Sequence, residues 1–108
     1  MRQGAELVLV PTVIVTTIVA DGPRSTIRTT TGETHTFSYP LKALAEHLNP
    51  TEFIRLGRGV LANINRITRI TAVANGTNRI VFDDGREFRM SRIQSRRLRS
   101  VLSELLSL

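Results

Sequence analysis

A chain of 108 residues, 41% of them hydrophobic, can bury one core and hardly two, which points to a single compact domain over residues 1–108. It has no cysteine, which excludes disulfides and thiolate metal sites and suits a reducing cytoplasm. The net charge of +6 sits in the C-terminal half: residues 51–99 hold eleven arginines against Glu52, Asp83, Asp84 and Glu87, whereas the charges of residues 1–50 cancel. Arginine's planar fork pairs with phosphates and with the guanine edge, so the implied partner is a polyanion. Arginine favoured by GC-rich coding, with charge serving only solubility, is the plainer alternative.

The first apolar stretch, Leu7 to Ala20, contains Pro11 and three threonines and is 14 residues long. A membrane-spanning helix needs roughly 20. Two buried strands are predicted there, with no membrane span. Only Arg2 precedes the stretch and no small-residue cleavage pattern closes it, which argues against a signal peptide. Val13 to Ala20 reads as a strand, Asp21-Gly22-Pro23 as a turn and Ser25 to Thr31 as a Thr-rich strand. A second turn at Thr31-Gly32-Glu33 leads into Thr34 to Ser38, giving a meander with one solvated face. Pro40 opens a short helix over about 40–48, in which Leu41, Leu44, Ala45 and Leu48 recur at helical spacing and Asn49-Pro50 ends the run.

Phe53 to Leu56 and Val60 to Ile64 are short apolar pieces around Gly57-Arg58-Gly59, an exposed loop carrying an arginine. Ile67, Ile70 and Val73 mark a further strand region, and Asn75-Gly76 a turn. Ile80-Val81-Phe82 and Glu87 to Met90 form a hairpin about Asp84-Gly85. The end, about 91–107, is helical. Ser91 and Gln94 make a capping box, with Ile93, Leu98, Val101, Leu102, Leu105 and Leu106 on one side. No linker, repeat or low-complexity segment interrupts the chain.

Catalysis has no support in this pattern, and no cofactor or metal is implied. His35 and His47 lie in different elements without a motif, and Asp83-Asp84 fits a hairpin turn better than a carboxylate site. The last helix instead crowds Arg92, Arg96 and Arg99 onto the side away from the leucines, with Arg97 at the flank. Cations near a helix N-terminus oppose its dipole, so helix stability does not explain them; an anionic partner does.

The segment FIRLGRGVLANINRITRI, Phe53 to Ile70, followed by Met90-Ser91-Arg92 before a leucine-rich helix, resembles the LytTR DNA-binding domains of bacterial transcription regulators. Phe53, Arg55, Leu56, Arg58, Leu61, Asn63, Ile64, Ile67 and Ile70 match the family pattern, and the likeness extends from Val13 to Leu106. The resemblance implies a mainly β fold of small stacked antiparallel sheets with short helices, reading the DNA major groove through loops. It also implies transcription regulation, as in bacterial response regulators, with two copies on tandem repeats of double-stranded DNA and a possible dimer there. By position it puts Arg24, Arg58, Arg92 and Ile93 on bases, and Ser25, Arg55, Arg89, Arg96 and Arg97 on phosphates. Asn63 is expected to bond buried backbone more than DNA. Gly57 and Gly59 stand where the family usually has His and Ser, which leaves a protein-interaction module with weakened base readout as the alternative. RNA binding is the weaker reading, since four Phe and one Tyr in apolar contexts offer no stacking surface.

Overall fold

A computed structural model describes the backbone of residues 2–3, 6–7, 9–57 and 59–106, and the side chains of 9–57 and 59–103. Strands β1 (Arg2–Gln3) and β2 (Glu6–Leu7) pair as a two-stranded ribbon. A five-stranded antiparallel sheet follows, built from β3 (Val15–Asp21), β4 (Arg24–Thr29), β5 (Thr34–Phe37), β6 (Phe53–Arg55) and β7 (Val60–Asn63) in the order β5-β4-β3-β7-β6. A three-stranded antiparallel sheet holds β8 (Ile67–Ala72), β9 (Asn78–Phe82) and β10 (Glu87–Met90) in the order β10-β9-β8. Helix α1 (Leu41–Ala45) crosses from β5 to β6, and α2 (Arg92–Leu106) follows β10. This is the mainly β architecture with a C-terminal helix that the sequence predicts.

Two cores flank the β6–β7 hairpin. Val15, Ile18, Ile27, Phe37, Leu41, Leu44, Phe53 and Leu61 form the first, beneath α1. Ile54, Leu56, Ala62, Ile80, Phe82, Met90 and Leu98 form the second, between the two sheets and α2. Successive strand residues face opposite ways, so Phe53 and Leu61 enter one core while their neighbours Ile54 and Ala62 enter the other. Both faces of this hairpin are buried, which is why it lacks the polar alternation of β4.

The sheets are fastened at the β9–β10 turn. Thr16 donates through Oγ1 to Asp84 Oδ2 at 3.2 Å, and Arg66 pairs with Asp83 at 3.2 Å while donating through Nε to the Val13 carbonyl at 2.8 Å. The two aspartates thus have turn and latch roles, and Arg66 serves the fold.

Several boundaries differ from expectation. The stretch Leu7 to Ala20 is not two buried strands: a 3-10 turn over Thr12–Ile14, entered through Pro11, precedes β3, and Leu9 and Val13 are exposed. Proline withholds the donor and fixes the φ that a continuous strand would need otherwise. The first helix is only Leu41–Ala45. The chain then tightens, His47 N–H reaching the Leu44 carbonyl and Leu48 N–H the Ala45 carbonyl, yet Leu48 still packs against the first core. In α2, Ile93 leaves the apolar side and is 64% exposed, while Ser95, Leu98 and Leu102 turn inward. Five residues before Leu98 is more than a third of a turn away from it around a 3.6-residue helix. Leu105 and Leu106 have side chains outside the described residues.

Candidate nucleic-acid interface

Three chain segments adjoin one another in series. The first is the β3–β4 hairpin, whose two-residue turn Gly22-Pro23 is set by Gly22 at φ +61 and presents exposed Arg24 opposite Asp21. The second is the β6–β7 loop, closed by the Leu56 N–H bond to the Val60 carbonyl at 2.9 Å. Ala20 N–H donates to the Gly59 carbonyl at 2.8 Å and ties these two loops together. The third is the start of α2. Here the expected capping box is present: Gln94 N–H donates to Ser91 Oγ at 3.2 Å, and Ser91 N–H donates to Gln94 Oε1 at 3.0 Å.

Gln94 also joins the helix to the central loop. Gly57 has φ +136, and a Cβ there would overlap Gln94 Nε2. The amide therefore fills the space a side chain at 57 would take, while its other end caps the helix. Gly59 is different: a Cβ there meets only Ala20 Cβ at 3.7 Å, an ordinary contact. Gly57→Ala is expected to lower stability by more than about 1 kcal/mol, from the disallowed φ and the displaced cap. Gly59→Ser is expected to fold as the parent does and to add a hydroxyl beside Arg58. Thermal denaturation of the two variants checks both.

The expected contact residues separate once placed. Arg24, Arg55, Arg89, Arg92, Ile93, Arg96 and Arg97 are exposed. Arg58 lies outside the described residues, though its neighbours Gly57 and Gly59 place the loop. Ser25 is a correction: it is fully buried and donates through Oγ to the Tyr39 carbonyl at 2.7 Å, so it fastens β4 to the segment after β5 instead of facing a phosphate. Alternation along β4 turns Ser25 inward where Arg24 points out. Asn63 is 2% exposed; its Nδ2 donates to the Val15 carbonyl at 2.9 Å and the Thr12 carbonyl at 3.3 Å, and its Oδ1 accepts from Asn65 N–H at 3.0 Å.

Around α2 the arginines divide into two sets. Arg97 shares a groove of about 470 Å³ with Arg55, over an apolar floor that includes Phe53, Ile54 and Val101. Arg92, Arg96 and Arg99 line the opposite flank. A further exposed arginine, Arg79 in β9, stands directly across from Arg89 in β10. Like charges so placed destabilise a sheet and add to its positive field. The signal for Arg79 was the alternation in Asn78-Arg79-Ile80, which turns it outward while its neighbours are buried.

Among the described residues no group of three or more histidines, aspartates and glutamates gathers as a metal site would. No described helix is long and apolar enough to cross a membrane.

This fold, with its three adjoining loops and arginine-lined helix, matches a known family. Residues 5–103 match the family of the LytTr DNA-binding domain, and the chain belongs to it. A similar solved structure is described as the LytTr DNA-binding domain of a DNA response regulator from Bacillus cereus. It is 23% identical, aligns over 94% of this chain and 92% of that one, and gives a TM-score of 0.79. No curated protein sequence matches the chain.

Proposed function

We propose that the chain is a sequence-specific, double-stranded DNA-binding domain of a bacterial transcription regulator working in the cytoplasm. The observation that carries this reading is the convergence of the Arg24 turn, the Gly57 to Gly59 loop and the start of α2, held together by the Ala20–Gly59 bond and by Gln94. Family membership and the response-regulator description of the Bacillus cereus domain support it. In this reading the loops enter the major groove, with Arg24, Arg58 and Arg92 on base edges and Ile93, beside Arg92, presenting an apolar side chain to a thymine methyl. Arg55, Arg89, Arg96 and Arg97 hold phosphates, fixing register without reading sequence. All residues 1–108 act as one domain, and two copies occupy tandem repeats on one DNA face.

Electrophoretic mobility shifts with a pool of random duplexes, at graded salt, test this. Binding is expected, with an affinity that falls as salt rises at a log–log slope of about 0.9 for each phosphate engaged. Selected sequences should carry paired sites in helical phase. Failure to retain any duplex at low ionic strength would overturn the reading.

A further inference from the structure

The outer edge of β6 lies in the groove that Arg55 shares with Arg97. Strand β6 ends the five-stranded sheet, and among the described strands it pairs with β7 alone. Ile64 N–H donates to the Glu52 carbonyl at 2.8 Å and Leu56 N–H to the Val60 carbonyl at 2.9 Å, which sets the phase of that ladder. In an antiparallel pair alternate residues turn both backbone groups to the neighbouring strand, so Ile54 faces β7 while Phe53 and Arg55 turn outward. Phe53 N–H is taken by the Asn49 carbonyl at 2.9 Å. The edge therefore offers the Arg55 N–H as one donor between two acceptors, the carbonyls of Phe53 and Arg55.

The walls of the groove supply what this short edge does not. Leu48 on one side and Val101 of α2 on the other, with Phe53 and Ile54 beneath, make an apolar trough of about 470 Å³ on which Arg55 and Arg97 stand exposed. Among the described residues the ion pairs are His35–Glu33 and Arg66–Asp83, so neither of these arginines meets a carboxylate there. A fitting occupant brings N–H donors for the two carbonyls, an acceptor for the Arg55 N–H, apolar side chains and negative charge. A phosphodiester backbone has no donor and no apolar part, and a second copy of this chain carries a net charge of +6. An extended peptide has the backbone groups in every residue, and acidic and apolar side chains complete the match.

We propose that the β6 edge groove binds an extended segment of a partner protein, rich in acidic and apolar residues, which adds to the sheet as a sixth strand. Backbone bonds to Phe53 and Arg55 hold the segment, and the guanidinium groups of Arg55 and Arg97 select its charge. The segment's site stands without the DNA-binding reading. Under that reading the same two arginines hold phosphates, and segment and duplex exclude one another.

The test is a titration of the isotopically labelled full chain, without DNA, with an acetylated and amidated hexapeptide of alternating glutamate and valine. Saturable changes are expected at the amides of Ile54, Arg55 and Leu56 and at the side-chain Nε–H signals of Arg55 and Arg97, with slower exchange of the Arg55 N–H. The same peptide N-methylated throughout keeps its side chains and loses its donors, and it should bind about tenfold more weakly. Arg55→Gln and Arg97→Gln, exposed changes that leave the fold intact, should each weaken binding about two- to fivefold, the effect of a solvent-exposed ion pair. A peptide with lysine in place of glutamate should not bind. Absence of any saturable change overturns the site, and equal binding of the N-methylated peptide overturns strand addition. Equal binding of the lysine peptide overturns the acidic partner, and dilution-dependent shifts at the Arg55 amide without peptide assign the edge to a second copy instead.

Discussion

Asn63→Ala is expected to lower stability by about 3 kcal/mol. The side chain is buried and makes three hydrogen bonds to backbone, two to the distant Thr12 to Val15 entry of β3 and one to the short turn that directly follows it after β7. A hydrogen bond contributes about 1 kcal/mol net, and groups left buried and unpaired cost about 1 to 3 kcal/mol each. The Val15 carbonyl, bonded in the buried interior, carries most of the penalty. For a domain of this size, about 1 kcal/mol moves the midpoint by about 4 to 8 °C, so thermal denaturation should show a drop well above ten degrees. A shift of only a few degrees would mean that water replaces the amide and that Asn63 is not the tie between these segments.

Arg58→Ala is expected to cost on the order of 1 to 3 kcal/mol on the selected DNA site and much less on random duplex, because a bidentate base contact contributes only where the right base stands. Arg97→Ala should instead weaken all sequences about equally and lower the salt slope by about one unit. Arg97 is exposed beside Arg55, on a groove whose floor already has its packing, so its truncation should change stability by no more than about 0.5 kcal/mol. Mobility shifts with the selected and a scrambled duplex, after circular dichroism confirms folding, separate the two roles. Equal losses on both duplexes for Arg58→Ala would remove the central loop from base reading.

Much of the fold was legible because its signals are local. Asp21-Gly22-Pro23, Asn75-Gly76 and Asp84-Gly85 fix hairpins through glycine's positive φ, and Ser91 with Gln94 fixes the start of α2 through two hydrogen bonds. What stayed hidden depends on partners remote in sequence. Arg66 reads as one more member of a basic half, yet its guanidinium is engaged by Asp83 and by the Val13 carbonyl. Ser25 reads as a neighbour of a DNA-contacting arginine, but the one-residue step along β4 carries it into the interior against Tyr39. The glycines at 57 and 59 look equivalent as departures from the family pattern. The positive φ at Gly57, together with the packing of Gln94 37 positions beyond it, makes the first obligatory, whereas Gly59 has neither and is open to a side chain.

The β6–β7 hairpin, clamped between two cores, has a bearing on the thermodynamics of recognition. A loop mounted on a freely moving ribbon surrenders conformational entropy when its target arrives, and that loss is deducted from affinity. Here Phe53, Ile54, Leu61 and Ala62 immobilise the base of the loop during folding itself. Segments with buried contacts on both sides belong to the last parts of a protein to open. On the DNA-binding reading proposed above, docking the Gly57 to Gly59 tip would call for little new ordering of the backbone beneath it, leaving the free energy of each contact at the tip for telling one sequence from another.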